Sequence, residues 1–158
     1  MEVLVIYDSL HGNTEALAQA IAGEIGAKTR LLRVSEAKLA DLIEPACLIF
    51  GTPTHGGLPK PEFQRFLETI PDAALMGKQV TVFDTRFLAS SQNFFLKILM
   101  SIIGYAAPKA LRVLEKKGAK RIDDPQGFIV TSTSGPLADG ELDRARQWVR
   151  QIFSDRLA

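Results

Sequence analysis

Residues 3–14 read VLVIYDSLHGNT, and this stretch decides the fold. Its first five residues form an unbroken apolar run, as in a strand that is buried on both faces of a sheet. Small and hydroxylic residues follow, and from Glu15 to Ile25 the apolar side chains recur at helical spacing until Gly26. The stretch therefore predicts a strand, a short polar loop and a helix.

The polar loop, residues 9–14, has the composition of an anion-binding loop. A loop that opens a helix presents free backbone N–H groups and the positive end of the helix dipole to one point, and the hydroxyls of Ser9 and Thr14 add donors. The loop has neither the Walker pattern G-x-x-x-x-G-K-[ST] nor the dinucleotide fingerprint G-x-G-x-x-G. We therefore predict a loop for a small monophosphate, held without a metal; the alternative is an ordinary helix-capping turn.

The composition is that of an ordinary globular protein. The 158 residues are expected to form a single domain, residues 1–158, with 46% hydrophobic and 23% charged residues. Because 19 basic residues face 18 acidic ones, we expect neither nucleic acid nor a membrane as a partner. The single cysteine, Cys47, excludes a disulfide within the chain and a cysteine-based metal site. No signal peptide is recognisable, so we expect a cytoplasmic protein.

Strand and helix patterns alternate along the rest of the chain. Further strands are predicted at residues 28–34, 46–50, 79–83 and 128–131. Helices are predicted at 35–42, from Pro61, and at the end of the chain with Asp139 or Ser134 as its cap. This alternation predicts an α/β fold of three layers, with a parallel sheet covered by helices on both faces. Five strands favour the doubly wound order 2-1-3-4-5, in which a crevice opens between the ends of strands 1 and 3. Two glycine-bearing loops, residues 9–14 and 51–57, follow those strands.

Three segments resemble the flavodoxin-like family. Ser9-x-x-Gly12-Asn13-Thr14 resembles the phosphate loop of that family, and residues 51–57, GTPTHGG, resemble the loop that wraps its flavin. Residues 82–86, VFDTR, resemble its fourth strand and the loop that follows. The resemblance covers the whole chain in length and element order and is most specific in residues 3–70.

The resemblance implies noncovalently bound FMN. It would place the phosphate on the first loop, at Ser9, Leu10, His11, Gly12, Asn13 and Thr14. It would place the isoalloxazine ring along Pro53, Thr54, His55, Gly56 and Gly57, with Asp84, Thr85 and Arg86 closing the other side. No catalytic acid, base or nucleophile is implied, because the protein would tune the flavin rather than perform chemistry itself.

The function favoured by this resemblance is electron transfer between a reductase and an acceptor protein. Two alternatives remain: an NAD(P)H-dependent quinone or flavin reductase of the same group, and a flavin-free module that kept the fold. Flavodoxins that shuttle electrons are markedly acidic, whereas this chain has a net charge of +1. The usual tryptophan and tyrosine around the flavin are also not obvious, since Trp148 falls in the last helix and the segment after strand 4 offers Phe87.

An apolar segment, residues 93–107, has hardly any polar face and is too short to cross a bilayer. It predicts either a helix that covers the sheet or an interface that makes the protein a homo-oligomer, and we favour the interface. A basic stretch follows, comprising Lys109, Arg112, Lys116, Lys117, Lys120 and Arg121. It predicts a solvated helix face or a surface that attracts an acidic redox partner.

Overall fold

In the computed structural model, which describes residues 1–88 and 104–154, parallel strands form one sheet with helices on both faces. The strands are β1 (Val3–Tyr7), β2 (Thr29–Arg33), β3 (Cys47–Pro53), β4 (Gln79–Phe87), β5 (Lys120–Arg121) and β6 (Gln126–Val130). The described α-helices are α1 (Asn13–Ile25), α2 (Pro61–Thr69), α3 (Ala106–Lys116) and α4 (Glu141–Phe153). Within these residues, no helix is long and apolar enough to cross a membrane.

The sheet has the predicted order 2-1-3-4-5, and the predicted α/β fold is confirmed. Its fifth position is divided, because β5 pairs with the first two residues of β4 and β6 pairs with residues 83–87. Between the two segments, the Asp123 carbonyl accepts a hydrogen bond from the Thr81 hydroxyl, and Pro125 has no N–H to donate to a neighbouring strand. The sheet edge is therefore interrupted at residues 122–125.

Several predicted boundaries were wrong. The first helix begins at Asn13 instead of Glu15, and only residues Leu39–Leu42 of the predicted helix at 35–42 form a short 3-10 turn. Strand β3 continues to Pro53 and β4 continues to Phe87. Residues 84–86 consequently lie within a strand, whereas the sequence suggested a loop after it.

Alternate strand residues fill two separate cores, which accounts for the three layers. On one face, Leu4, Phe50 and Val82 pack with side chains of α2 and α3. On the other face, strand residues pack with α1 and α4, including Val5, Ile49, Phe83 and Phe128 from the sheet and Ala145, Trp148, Val149 and Phe153 from α4. Trp148 contacts Phe83 and Phe128 edge to face, so it belongs to this core.

The apolar segment 93–107 falls largely outside the described residues, which resume at residue 104. Its last residues, Ala106 and Ala107, begin α3 and are buried against the sheet. Most of the basic stretch lies at the opposite end of α3 and along β5, where Lys117 pairs with Asp72 and Lys120 is in register with Gln79, the first residue of β4. These charges therefore lie near the amino-terminal edge of the sheet.

Gly51 provides a test of the packing between β3 and β4. A Cβ atom at this position would lie 2.2 Å from Cζ of Phe83, whose ring packs edge to face with Phe128 and Trp148. We expect Gly51→Ala to lower the free energy of unfolding by about 1–3 kcal/mol because the core is overpacked.

The control is Gly23→Ala on the exposed face of α1, where a Cβ would meet no atom within 4 Å. This change should raise stability by about 0.5–1 kcal/mol, since alanine favours helix. Urea denaturation of both variants measures the difference, and a Gly51→Ala protein as stable as the wild type would contradict the packing described.

Candidate functional site

A cleft opens at the carboxyl ends of β1, β3 and β4, and it brings the two glycine-bearing loops together. Parallel pairing places Tyr7 beside Gly51, so the chain segments that follow both strands emerge at the same edge of the sheet. The residues that line the cleft are Ser9, Leu10, His11, Asn13, Thr14, Pro53, Thr54, His55, Gly56, Thr85, Phe87, Val130 and Thr133.

The first loop is closed by its own glycine and serine. The Gly12 N–H donates to Oγ of Ser9 at 3.0 Å, and the Gly12 carbonyl accepts the first helical hydrogen bond of α1 from Ala16 at 2.9 Å. Gly12 has a φ of +86°, in the left-handed region that favours glycine. Although Gly12 does not line the cleft, it turns the chain so that the flanking residues do.

Several backbone N–H groups of this loop have no partner among the residues that the structure describes. Within residues 1–88 and 104–154, the N–H groups of Leu10, His11, Asn13 and Thr14 donate to no acceptor. They surround the amino-terminal end of α1, a 13-residue helix whose dipole adds positive potential there. This set of donors suits a phosphate group.

Thr14 plays a different part from the one its position in the motif suggests. Its side chain is 1% exposed, and its hydroxyl lies 2.9 Å from the hydroxyl of Thr85 on β4. One hydroxyl donates to the other, which leaves the second hydrogen available to another acceptor. The pair therefore connects the first loop to the centre of the sheet.

A third segment, residues 130–135, completes the cleft and was missed in the sequence. Nδ2 of Asn13 donates to the Ser134 carbonyl at 3.1 Å, and a Cβ at Gly135 would lie 2.5 Å from the Asn13 amide atoms. This contact joins residues 121 positions apart and brings Val130 and Thr133 to the cleft. Only turn-forming residues mark this segment in the sequence, which does not reveal its partner.

The second loop ends in a tight hairpin. His55 and Leu58 exchange backbone hydrogen bonds of 2.8 and 2.9 Å, and the two glycines between them have φ values of +54° and +78°. Two consecutive positive φ values are those of a type I′ turn, which explains the need for Gly56 and Gly57. Nζ of Lys109 donates to the Gly57 carbonyl at 2.7 Å and fastens the turn to α3.

Of the three predicted residues on β4, only Thr85 lines the cleft. Asp84 is fully buried and accepts two hydrogen bonds from Arg86, at 2.6 and 2.8 Å, and one from the Ala107 N–H at 2.8 Å. The Arg86 guanidinium also lies 3.6 Å from the centroid of the Tyr105 ring. These two charged side chains thus hold the start of α3 against the sheet, and Phe87 is the β4 side chain that accompanies Thr85 at the cleft.

A second ion pair, between a buried carboxylate and a lysine, connects the two loops. The sequence pattern did not identify it. Asp8, which directly follows β1 and is 1% exposed, accepts a hydrogen bond of 2.9 Å from Nζ of Lys60. Lys60 precedes α2, and its backbone N–H donates to the Thr52 hydroxyl at 3.4 Å. The pair therefore links the start of the first loop to the end of the second.

Comparisons with known proteins agree with this architecture. A family model described as flavodoxin matches residues 5–85, just over half of the 158 residues. A flavodoxin from Aquifex aeolicus (strain VF5) is 36% identical over 73 residues, which cover 44% of this chain and only 40% of that relative.

Two solved structures share the fold over nearly the full chain. Oxidised flavodoxin 1 from Bacillus cereus has a TM-score of 0.75 and 20% identity, with 100% of both chains covered. A flavodoxin from the domain Archaea has a TM-score of 0.74 and 19% identity, with 98% of both chains covered.

The support given by Asp8 and Lys60 is testable by a double-mutant cycle. Lys60→Met leaves the Asp8 carboxylate buried without its cation, so we expect the free energy of unfolding to fall by about 3 kcal/mol. Adding Asp8→Asn should recover at least half of this loss because the unpaired charge is removed.

Lys117→Met is the matched control, since its partner Asp72 is 92% exposed. Exposed pairs contribute little, and the change should cost no more than about 0.5 kcal/mol. Equal small losses for Lys60→Met and Lys117→Met in thermal or urea unfolding would show that the buried pair does not support the loops.

Proposed function

This chain belongs to the flavodoxin family, and from that premise we propose that it binds FMN noncovalently in the cleft and transfers electrons between protein partners. The observation that carries the proposal is the group of N–H donors at the start of α1, which have no acceptor in the described part of the chain and lie directly beside the second loop. In this proposal the first loop binds the phosphate and the second loop contacts the flavin ring.

The first loop holds the phosphate. The N–H groups of Leu10, His11, Asn13 and Thr14 are the donors, and the Ser9 hydroxyl, which already accepts from Gly12, still has its hydrogen to donate. Of the two carboxylates that flank the loop, Asp8 is paired with Lys60. A phosphate dianion on this loop therefore meets donors and the helix dipole without an unpaired negative charge from Asp8.

The flavin ring lies between the second loop and the ends of β4 and β6. Pro53, His55 and Gly56 form one part of the lining, and Phe87 and Val130 contribute apolar surface. When bound, FMN supplies one- and two-electron redox chemistry, while the protein sets its potentials. The apolar side chains limit water at the ring, and the hairpin, fixed by Lys109, presents backbone polar groups in a defined orientation.

The proposal is tested by adding FMN to purified apoprotein and following the quenching of flavin fluorescence. Gly12→Ala should weaken FMN binding at least about tenfold, because a side chain at a φ of +86° costs roughly 1–2 kcal/mol and favours rearrangement of the loop. The matched control is Gly77→Ala, at a φ of +79° with equally open surroundings but away from the cleft, which should leave binding unchanged.

The same preparation separates the alternatives. Electron transfer between proteins predicts that bound FMN is reduced only when a flavoprotein reductase is added, whereas rapid bleaching by NAD(P)H alone would instead indicate a reductase. A wild-type protein that quenches no FMN fluorescence at micromolar concentration would overturn the proposal and leave the flavin-free alternative.

A further inference from the structure

Arg33, the last residue of β2, contacts the first loop from outside the cleft. Its Nη2 donates to the Ser9 carbonyl at 2.5 Å. Ser9 begins the loop, and the next N–H along the chain, that of Leu10, has no acceptor among the described residues. Leu10 lines the cleft, whereas Arg33 does not.

Peptide geometry transmits this contact to the cleft. The Ser9–Leu10 peptide is trans, so its C=O and N–H point in opposite directions. When Arg33 holds the carbonyl, the Leu10 N–H must point away from Arg33. One hydrogen bond on the outer side of the loop therefore fixes a donor on its inner side.

Other side chains hold Arg33 in position. Its Nη1 lies 3.7 Å from Oε2 of Glu15, and its guanidinium lies 5.9 Å from the centroid of the Tyr7 ring. The Tyr7 hydroxyl donates to Oε1 of Glu15 at 3.0 Å. Burial, together with the hydrogen bond to Glu15 and its charge, raises the pKa of Tyr7, so the phenol keeps its proton to higher pH than an ordinary tyrosine and remains a donor.

Glu15 makes the charge of Arg33 important. This carboxylate lies in the first turn of α1, the same turn that presents N–H groups to the cleft. A negative side chain there interacts favourably with the helix dipole, but it repels a bound anion. Arg33 offsets this charge, and it does so without entering the cleft.

We propose that Arg33 is a positioning residue for the phosphate of the ligand: it orients the Leu10 N–H toward the anion and neutralises Glu15. The inference rests on the proposed FMN site and adds a determinant of selectivity for phosphorylated flavin. Arg33 acts through the loop, so it should influence the phosphate and leave the ring contacts unchanged.

The test compares FMN with riboflavin, which lacks the phosphate, for wild type, Arg33→Leu and Arg33→Lys. In Arg33→Leu the Kd for FMN should rise about tenfold while the Kd for riboflavin changes less than about twofold, since a charged hydrogen bond and a nearby cation are lost. Arg33→Lys should recover part of the FMN affinity because it keeps the charge and a donor. The control is Arg30→Leu on the same strand, whose ion pair with Asp41 is on the surface.

The outcomes separate this inference from the function itself. Wild-type binding of FMN with an unchanged Kd in Arg33→Leu overturns the role of Arg33 alone, and so does an equal loss for FMN and riboflavin, which indicates a general structural effect. Failure of the wild type to bind FMN overturns the proposed function together with the inference. If Arg33→Leu does not fold, FMN and riboflavin are compared for Arg33→Lys. We then expect a smaller loss of affinity, confined to FMN.

Discussion

The parallel pairing of β1 with β3 is the constraint on which the site depends. It places Tyr7 beside Gly51, so the chain leaves both strands at one edge of the sheet and the two loops share one cleft. Helix α1 then starts at Asn13, directly at this edge, and its first N–H groups remain without protein acceptors in the described part of the chain. In our proposal, anion binding is thus a consequence of backbone topology, and side chains refine it.

Two ion pairs with buried carboxylates stabilise the positions of the two loops and of α3 relative to the sheet. Asp8 with Lys60 joins the two loops, and Asp84 with Arg86 anchors the start of α3. Both carboxylates are almost completely buried, so each depends strongly on its cation. Most of the basic stretch lies near the other edge of the sheet, at the end of α3 and along β5, away from the cleft. A partner that docks over the cleft would therefore meet few of these lysines and arginines.

The sequence was sufficient for the features that local patterns encode. Continuous apolar runs such as residues 3–7 identified the strands of the central sheet, and the small, hydroxylic and glycine residues that follow two of them identified both loops. It was insufficient where the partner is distant, as for Asn13 and Ser134, and where a strand extends beyond its apolar run, as for the pair Asp84 and Arg86. Strand β5 was not predicted because both of its residues are exposed and polar, and only their pairing with β4 defines the strand. Thr14 matched the motif, yet its burial against Thr85 is a tertiary effect.

The central claim is that backbone N–H groups of the first loop and of the start of α1 bind the phosphate of FMN while the second loop contacts its ring. The most direct measurement is the ¹⁵N–¹H correlation spectrum of the protein during a titration with FMN. Our account predicts downfield shifts of the amide resonances of Leu10, His11, Asn13 and Thr14, because each N–H gains a phosphate oxygen as acceptor, together with changes around Gly56. Resonances of the first loop that stay unchanged while FMN binds elsewhere would contradict it.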